Sequence, residues 1–298
     1  MTDHVTAQVI YLGGLGRSGT TLLERLLGEL PGVVALGEVV HLWDRGVLAE
    51  ELCGCGSAFP RCPFWRAVGD RAFGGWSRPL AERMLALRGR VDRTRRIARI
   101  DHPDLAEYVA AYRRLYDATG APVVIDSSKH ASLACCLVAG GLDLRIVHVV
   151  RDPRAVAHSW GRTVPRPENG RPMTRWSPAR AAAHWSAQNA ALELLPGRGA
   201  RVTRIRYEDL LAAPADALRN LVVRLGLPEP ELPFLDGRTV WLGPSHTASG
   251  NPMRFHVGRV ELRRDDAWRS RLPDGDRRVV NALTWPLMAR YGYWGMAA

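Results

Sequence analysis

Lysine is almost missing from this chain. Of the 41 Lys plus Arg among its 298 residues only Lys129 is lysine, and against 30 Asp plus Glu the formal net charge is +11. A bias toward arginine accounts for the totals wherever only positive charge is wanted. The lysine that survives marks a place where a compact ammonium serves and a planar guanidinium fork does not. Long apolar runs are also missing. None approaches the roughly 18 residues that span a bilayer, and Met1–Val5 does not lead from a basic segment into an apolar one, so neither an anchor nor a secretory leader is expected and a cytoplasmic location follows. Five cysteines are too few and too clustered for a disulfide framework, which agrees with a reducing compartment. With 46% hydrophobic and 24% charged residues, the composition excludes disorder and collagen-like repeats and leaves enough apolar side chain for a sizeable core.

Alternating elements are legible along the chain. An apolar run from Val9 to Leu12 leads into a glycine-rich loop over 13–19, then Leu22, Leu23, Leu26 and Leu27 recur at helical spacing. A short strand is expected near Val33 to Leu36. Arg-rich helical patterns run through Arg95, Ile97 and Ile100 and through Leu105, Tyr108, Tyr112 and Leu115, giving a helical insertion or lid over about 49–121. Pro122–Ile125 and Leu144–Val150 are nearly continuous β-branched runs, as expected of strands buried on both faces, and helices should follow each. Val202–Tyr207 is another candidate strand, followed by a helix ending near Leu225, a loop over Gly243–Pro252 and a final helix from about Asp276 to Arg290. Strand–helix alternation implies an α/β fold: a P-loop-type, doubly wound parallel sheet flanked by helices. We read 1–298 as one domain carrying the insertion, with no internal repeat.

Gly14 and Gly19 have the glycine spacing of a nucleotide-binding loop, in which backbone N–H groups and a helix N-terminus converge on phosphate oxygens. The next residue departs from that pattern. Thr20 stands where a triphosphate loop carries the lysine that reaches the β- and γ-phosphates, which argues against Mg-nucleoside triphosphate. Gly16-Arg17-Ser18-Gly19-Thr20-Thr21-Leu22-Leu23 resembles the 5′-phosphosulfate loop of sulfotransferases that use 3′-phosphoadenosine 5′-phosphosulfate (PAPS) and release PAP. Val150-Arg151-Asp152-Pro153-Arg154 through Ser159 resembles the 3′-phosphate motif of the same family, a strand-end arginine followed eight positions later by a serine. Two helical turns separate the pair, so both side chains can meet one phosphate. The resemblance is to bacterial members nearer the tyrosylprotein and carbohydrate type than the cytosolic type. It implies nucleotide contacts from Arg17, Ser18, Gly19, Thr20, Thr21, Arg151 and Ser159, and further ones from Tyr207 and from Arg254 or Arg259. It covers the sheet core and not the insertion.

Sulfonyl transfer needs a base at the acceptor and cationic donors at the leaving oxygen. The resemblance implies Glu38 as base, Lys129 at the leaving phosphate and Arg17 beside the sulfonate. A carboxylate raised in pKa by burial would serve best as base. Glu38 also suits a helix first turn on dipole grounds. His41, His130 and His158 rank below it. Cys53, Cys55 and Cys62 hint at metal but lack a clear fourth ligand, so they read as a packed turn and no metal is expected. Cys135-Cys136 reads as core. Trp43, Trp65, Trp76, Trp160, Trp176 and Trp185 line either an apolar pocket or the core. The acceptor implied is a hydroxyl or amine on a small molecule or biosynthetic intermediate, with neither nucleic acid nor membrane as partner. Oligomeric state is not legible. Two rivals remain: a P-loop kinase with Asp126 as a Walker-B carboxylate for Mg²⁺, and a nucleic-acid binder drawn by the charge and by stretches such as Arg88–Arg99.

Overall fold

The computed structural model of the chain describes residues 6–97, 100–165, 170 and 172–295. Met1–Val5, read above for a leader, and Ala98 and Arg99 of the basic stretch lie outside the described residues. Five strands form a parallel sheet: β1 (Gln8–Gly13), β2 (Val33–Ala35), β3 (Val123–Lys129), β4 (Leu144–Val150) and β5 (Arg201–Arg206), in the order β2-β3-β1-β4-β5. After β1 the chain builds outward to one side, and after β3 it crosses to the other. The carboxyl edge of β1 is therefore the point where connections diverge, which is where open α/β sheets bind ligands. The expected α/β fold with a doubly wound parallel sheet is what the chain forms.

Alternation along the strands divides the core into two layers. Val9 and Tyr11 of β1, Val124 of β3 and Leu144 and Ile146 of β4 face one layer. Ile10, Leu12, Ile125, Val147 and Val149 face the other. Helix α1 (Thr20–Leu27) closes the second layer with Leu22, Leu23, Leu26 and Leu27. The first layer takes apolar residues from α2 (Pro63–Phe73), α3 (Arg78–Val91), α4 (Leu105–Asp117) and α5 (Ala131–Ala139). Helices α6 (Pro153–Gly161) and α7 (Pro178–Glu193) follow β4, then α8 (Tyr207–Ala212) and α9 (Pro214–Arg224) follow β5. A small antiparallel sheet of β6 (Leu235–Asp236), β7 (Thr239–Leu242) and β8 (Gly258–Glu261) precedes α10 (Trp268–Arg271) and α11 (Asp274–Arg290).

Several boundaries differ from expectation for local reasons. The strand expected to stop at Ile125 continues to Lys129, because Asp126, Ser127 and Ser128 find buried partners that polar strand residues need. The helix expected through Arg95 and Ile97 is a short 3-10 turn over Thr94–Arg96. α3 stops at Val91, where buried Asp92 accepts a hydrogen bond from the Tyr108 hydroxyl at 3.3 Å and leaves the helical path. Tyr207 opens a helix instead of ending β5, and Pro214, which has no N–H to donate, divides the helix expected to reach Leu225. The antiparallel sheet and α7 were not foreseen. Cys135 and Cys136 are buried in α5, as read from their pattern.

Candidate active site

A cavity of about 570 Å³ opens at the carboxyl edge of β1 and β3. Gly14–Arg17 and Gly19–Leu22 form one wall. Helix α1 begins at Thr20 with no side-chain cap and no acidic residue in its first turn, so the first N–H groups of the helix are left for whatever the cavity holds. Gly19, at φ 94°, cannot be exchanged for a larger residue, since a Cβ there would run into the ring of Tyr207. Tyr207 thus packs directly on the glycine loop. The ring carries on its other contact the guanidinium of Arg151, 4.4 Å from its centroid. Arg151, the residue after β4, donates to the backbone oxygen of Arg17 at 3.0 Å and to Asp265 Oδ2 at 3.3 Å. Arg151 Nε and Ser18 Oγ are buried with no hydrogen-bond partner. Ser159, Thr20 and Thr21 line the same cavity, while Ser18 is enclosed behind the wall.

The opposite wall carries Glu38 and Lys129, whose side chains form a direct ion pair between Lys129 Nζ and Glu38 Oε1. Lys129 has a left-handed backbone, φ 71°, as does Arg17 at φ 76°. Non-glycine residues adopt this conformation at a cost and are held there by surrounding structure. For Lys129 the holding bonds are visible: its carbonyl accepts from Gly14 N–H at 3.2 Å and from Gln188 Nε2 at 2.6 Å. Glu38 is set by Gly37, whose N–H donates to Glu24 Oε1 at 2.7 Å, and by its own N–H, which donates to the Ala248 oxygen at 2.8 Å. The Arg17 guanidinium lies 5.4 Å from the Trp160 ring centroid, with Nη2 3.5 Å from Met173 Sδ.

The electrostatics of Glu38 do not supply the burial-raised carboxyl that would serve best as base. Burial pushes its carboxyl up, but the Lys129 ammonium, with smaller contributions from His41 and Arg45, outweighs burial and holds it below the ordinary carboxylate value. The group raised by burial is Glu24, pushed up to about 7. It lies beneath the cavity and accepts from the Ser127 hydroxyl at 2.8 Å as well as from Gly37.

Residues 143–231, which hold β4, Arg151, Ser159 and Tyr207, match the sequence model of the Sulfotransferase family. That match covers this part of the chain alone. Two solved sulfotransferase domains share its fold. One comes from the olefin synthase of Synechococcus PCC 7002, with 21% identity, coverage of 96% of each chain and a TM-score of 0.51. The other comes from the curacin biosynthetic pathway, with 16% identity, coverage of 94% of this chain and 98% of that one, and a TM-score of 0.51. No curated protein matches the sequence.

The remaining candidate residues divide between the cavity and elsewhere. His41 and His130 line the cavity; burial lowers His130 to about 4 and so keeps it neutral. His158 lies apart, beside Arg271. Arg254 does not reach the cavity. It is buried with Nη1 donating to the Thr247 oxygen at 2.9 Å and Nη2 to the Leu52 oxygen at 2.7 Å, so its guanidinium holds two loops together. Arg259 is exposed on β8. Asp126 is consumed by the Tyr116 hydroxyl at 2.7 Å and by Ser128, and does not line the cavity, which removes the carboxylate a kinase reading needs. Arg88 and Arg90 of the basic stretch bond to the Val40 oxygen and to Asp104. Of the six tryptophans singled out, Trp160 and Trp176 line the cavity, stacked 3.8 Å apart, while Trp43, Trp65 and Trp185 are core and Trp76 packs partly buried against it. Glu24, Gln188 and Asp265 escaped the sequence reading. Gln188 follows His184 by one helical turn on α7, and both face the cavity. No helix among the described residues is long and apolar enough to cross a membrane.

Glu24 yields a pH prediction. An unfolded-state glutamate titrates near 4.3, so as pH rises the unfolded chain loses this proton before the folded one. The stability held by neutral Glu24 is present at low pH and is lost as pH approaches about 7. Glu24→Gln keeps an acceptor for Gly37 N–H and removes the titration. Urea denaturation at pH 5 and pH 7.5 should show the variant losing less stability over this interval than the parent, by on the order of 2–3 kcal/mol. Asp126, raised by burial to about 6, titrates in both proteins and cancels from the comparison. Parallel profiles would contradict the assignment.

Proposed function

We propose that this chain is a sulfotransferase that moves a sulfonyl group from PAPS to a hydroxyl or amine on a small molecule or biosynthetic intermediate. The observation that carries the donor assignment is the meeting of two separated motifs: Tyr207 covers Gly19 and stacks on Arg151, and buried Ser18 Oγ and Arg151 Nε each have hydrogen-bonding capacity left over. The uncapped start of α1 and these two groups fit a nucleotide with phosphates at both ends. Gly19, Thr20, Thr21 and Ser18 would hold the 5′-phosphosulfate side, and Arg151 and Ser159 the 3′-phosphate. In the free protein Asp265 supplies Arg151 with the anionic contact that a phosphate would replace. Bound there, PAPS supplies the sulfonyl group and departs as PAP.

The chain's own groups then have distinct tasks. Glu38 accepts the proton of the acceptor hydroxyl. Lys129 and Arg17 donate to oxygens where negative charge grows, a preorganised electrostatic contribution of the kind that dominates such transfers. The ion pair between Lys129 and Glu38 links the two tasks. With the ammonium turned toward the leaving phosphate, burial acts on Glu38 against only the smaller pull of His41 and Arg45, which makes it the stronger base. Thr94, Trp160, Trp176 and His184 also line the cavity, and we assign the aromatic wall to the acceptor. The insertion over 49–121 contributes Thr94 to this wall, and we propose that it shapes the acceptor side within a single domain.

Transfer of labelled sulfonyl from PAPS to a panel of hydroxylated small molecules tests the activity itself; no labelled product with any acceptor class would contradict it. Glu38→Gln should lower turnover about 10²-fold or more with PAP affinity within a few-fold of the parent. Arg151→Ala should do mainly the reverse, weakening PAP about 10- to 100-fold. Equal turnover in the Gln variant would remove Glu38 from the proton-transfer step. Lys129→Arg keeps the charge but not the compact donor, and should reduce turnover on the order of tenfold or more. Full activity there would mean that the ammonium is not required.

A further inference from the structure

Cys53, Cys55, Cys62 and His246 lie outside the cavity wall, yet their ligand atoms all fall within 4.8 Å of one another. His246 provides the fourth group that was not evident from sequence, arriving from the loop that precedes β8, more than 180 residues beyond the cysteines. The internal distances have the dimensions of a metal site. Tetrahedral zinc, with Zn–S near 2.3 Å and Zn–N near 2.0–2.1 Å, sets sulfurs about 3.8 Å apart and sulfur about 3.5 Å from nitrogen. In this chain Cys55 Sγ and Cys62 Sγ are 3.8 Å apart, and His246 Nδ1 is 3.3 Å from Cys62 Sγ and 3.8 Å from Cys53 Sγ. All three thiols are free of disulfides.

The surroundings direct backbone N–H groups at the sulfurs and hold the imidazole in place. Backbone N–H groups of Cys55, Ser57 and Trp65 are directed at the sulfurs of Cys53, Cys55 and Cys62 respectively. Cys62 also occupies the N-cap position of α2, so its placement is fixed by the start of that helix. The His246 ring stacks on Phe64 at 5.1 Å and 14°, and the His246 carbonyl accepts from Trp65 Nε1 at 2.8 Å. These contacts hold the His246 ring and its backbone in place. Gly54 allows the two segments to meet: a Cβ there would lie 2.5 Å from Ser245 Oγ and 2.7 Å from Thr247 Oγ1.

We propose that Cys53, Cys55, Cys62 and His246 bind one structural Zn²⁺ that ties the 53–62 turn to the 246–250 loop behind Glu38. Four protein ligands leave no open position for substrate, so the ion is structural and not catalytic. Its consequence for the active site runs through a short backbone path. Gly54 N–H donates to the Thr247 oxygen at 3.0 Å, and Ala248, one residue on, exchanges bonds with Leu36 and Glu38 at 2.7 and 2.8 Å. The clamp therefore sets the loop that positions the backbone of Glu38.

The test uses the full chain produced without a polyhistidine tag. Elemental analysis should find one zinc per chain, and replacement by Co²⁺ should produce the intense visible bands of a tetrahedral, thiolate-ligated ion. Cys62→Ser and His246→Ala should lose the metal, while Cys135→Ser keeps it. Where a variant fails to fold, the cobalt spectrum of the parent decides alone. Absence of metal after dialysis against zinc, a weak octahedral cobalt spectrum, or a Cys55–Cys62 disulfide found by mass would each overturn the proposal.

Discussion

Lys129 is the residue through which the halves of the site are joined. Its carbonyl accepts from Gly14 at the start of the glycine loop and from Gln188 on α7, and its ammonium reaches Glu38. A single left-handed residue at the end of β3 therefore fixes the glycine loop, the aromatic wall and the carboxylate relative to one another. The parallel sheet makes this possible, because β1 and β3 run side by side and place Gly13 opposite Lys129. Glu24 completes the arrangement from below by binding Gly37 and Ser127, which belong to the segments that carry Glu38 and Lys129.

Charge in this site is balanced locally before any ligand arrives. Arg151 borrows Asp265, Lys129 uses Glu38, and Arg17 rests near the electron-rich face of Trp160. These contacts lower the cost of holding partly buried cations in an apolar wall. They also mean that an anionic ligand competes with existing partners, so affinity is a difference between two sets of contacts and not a sum of new ones. The Arg151 side chain bears this most directly, since it bonds the loop, stacks on Tyr207 and retains an unsatisfied buried Nε.

Much of the architecture was legible because its signals are local. Apolar runs such as Leu144–Val150 have the length and branching of buried strands, and this one was delimited to the residue. The glycine loop, Arg151 and Ser159 were legible as spaced motifs, and they meet around one cavity. What escaped depends on distant partners. Glu24 looks like an ordinary helix residue until Gly37 and Ser127 are seen beside it. Arg254 sits in the expected loop, but the carbonyls of Thr247 and Leu52 draw its guanidinium inward. His246 is too far along the chain for any spacing rule to join it to the three cysteines. The lowering of Glu38 was out of reach for the same reason, since residue type does not show the proximity of Lys129.

The central claim is that the glycine loop and the strand-end arginine grip one doubly phosphorylated adenosine without a metal bridge. Calorimetric titration with PAP, and separately with ATP in the presence and absence of Mg²⁺, tests it most directly. The account predicts tight binding of PAP at one site per chain, unaffected by Mg²⁺ removal, with ATP far weaker. Preferential, Mg²⁺-dependent binding of ATP, or no detectable binding of PAP, would contradict it.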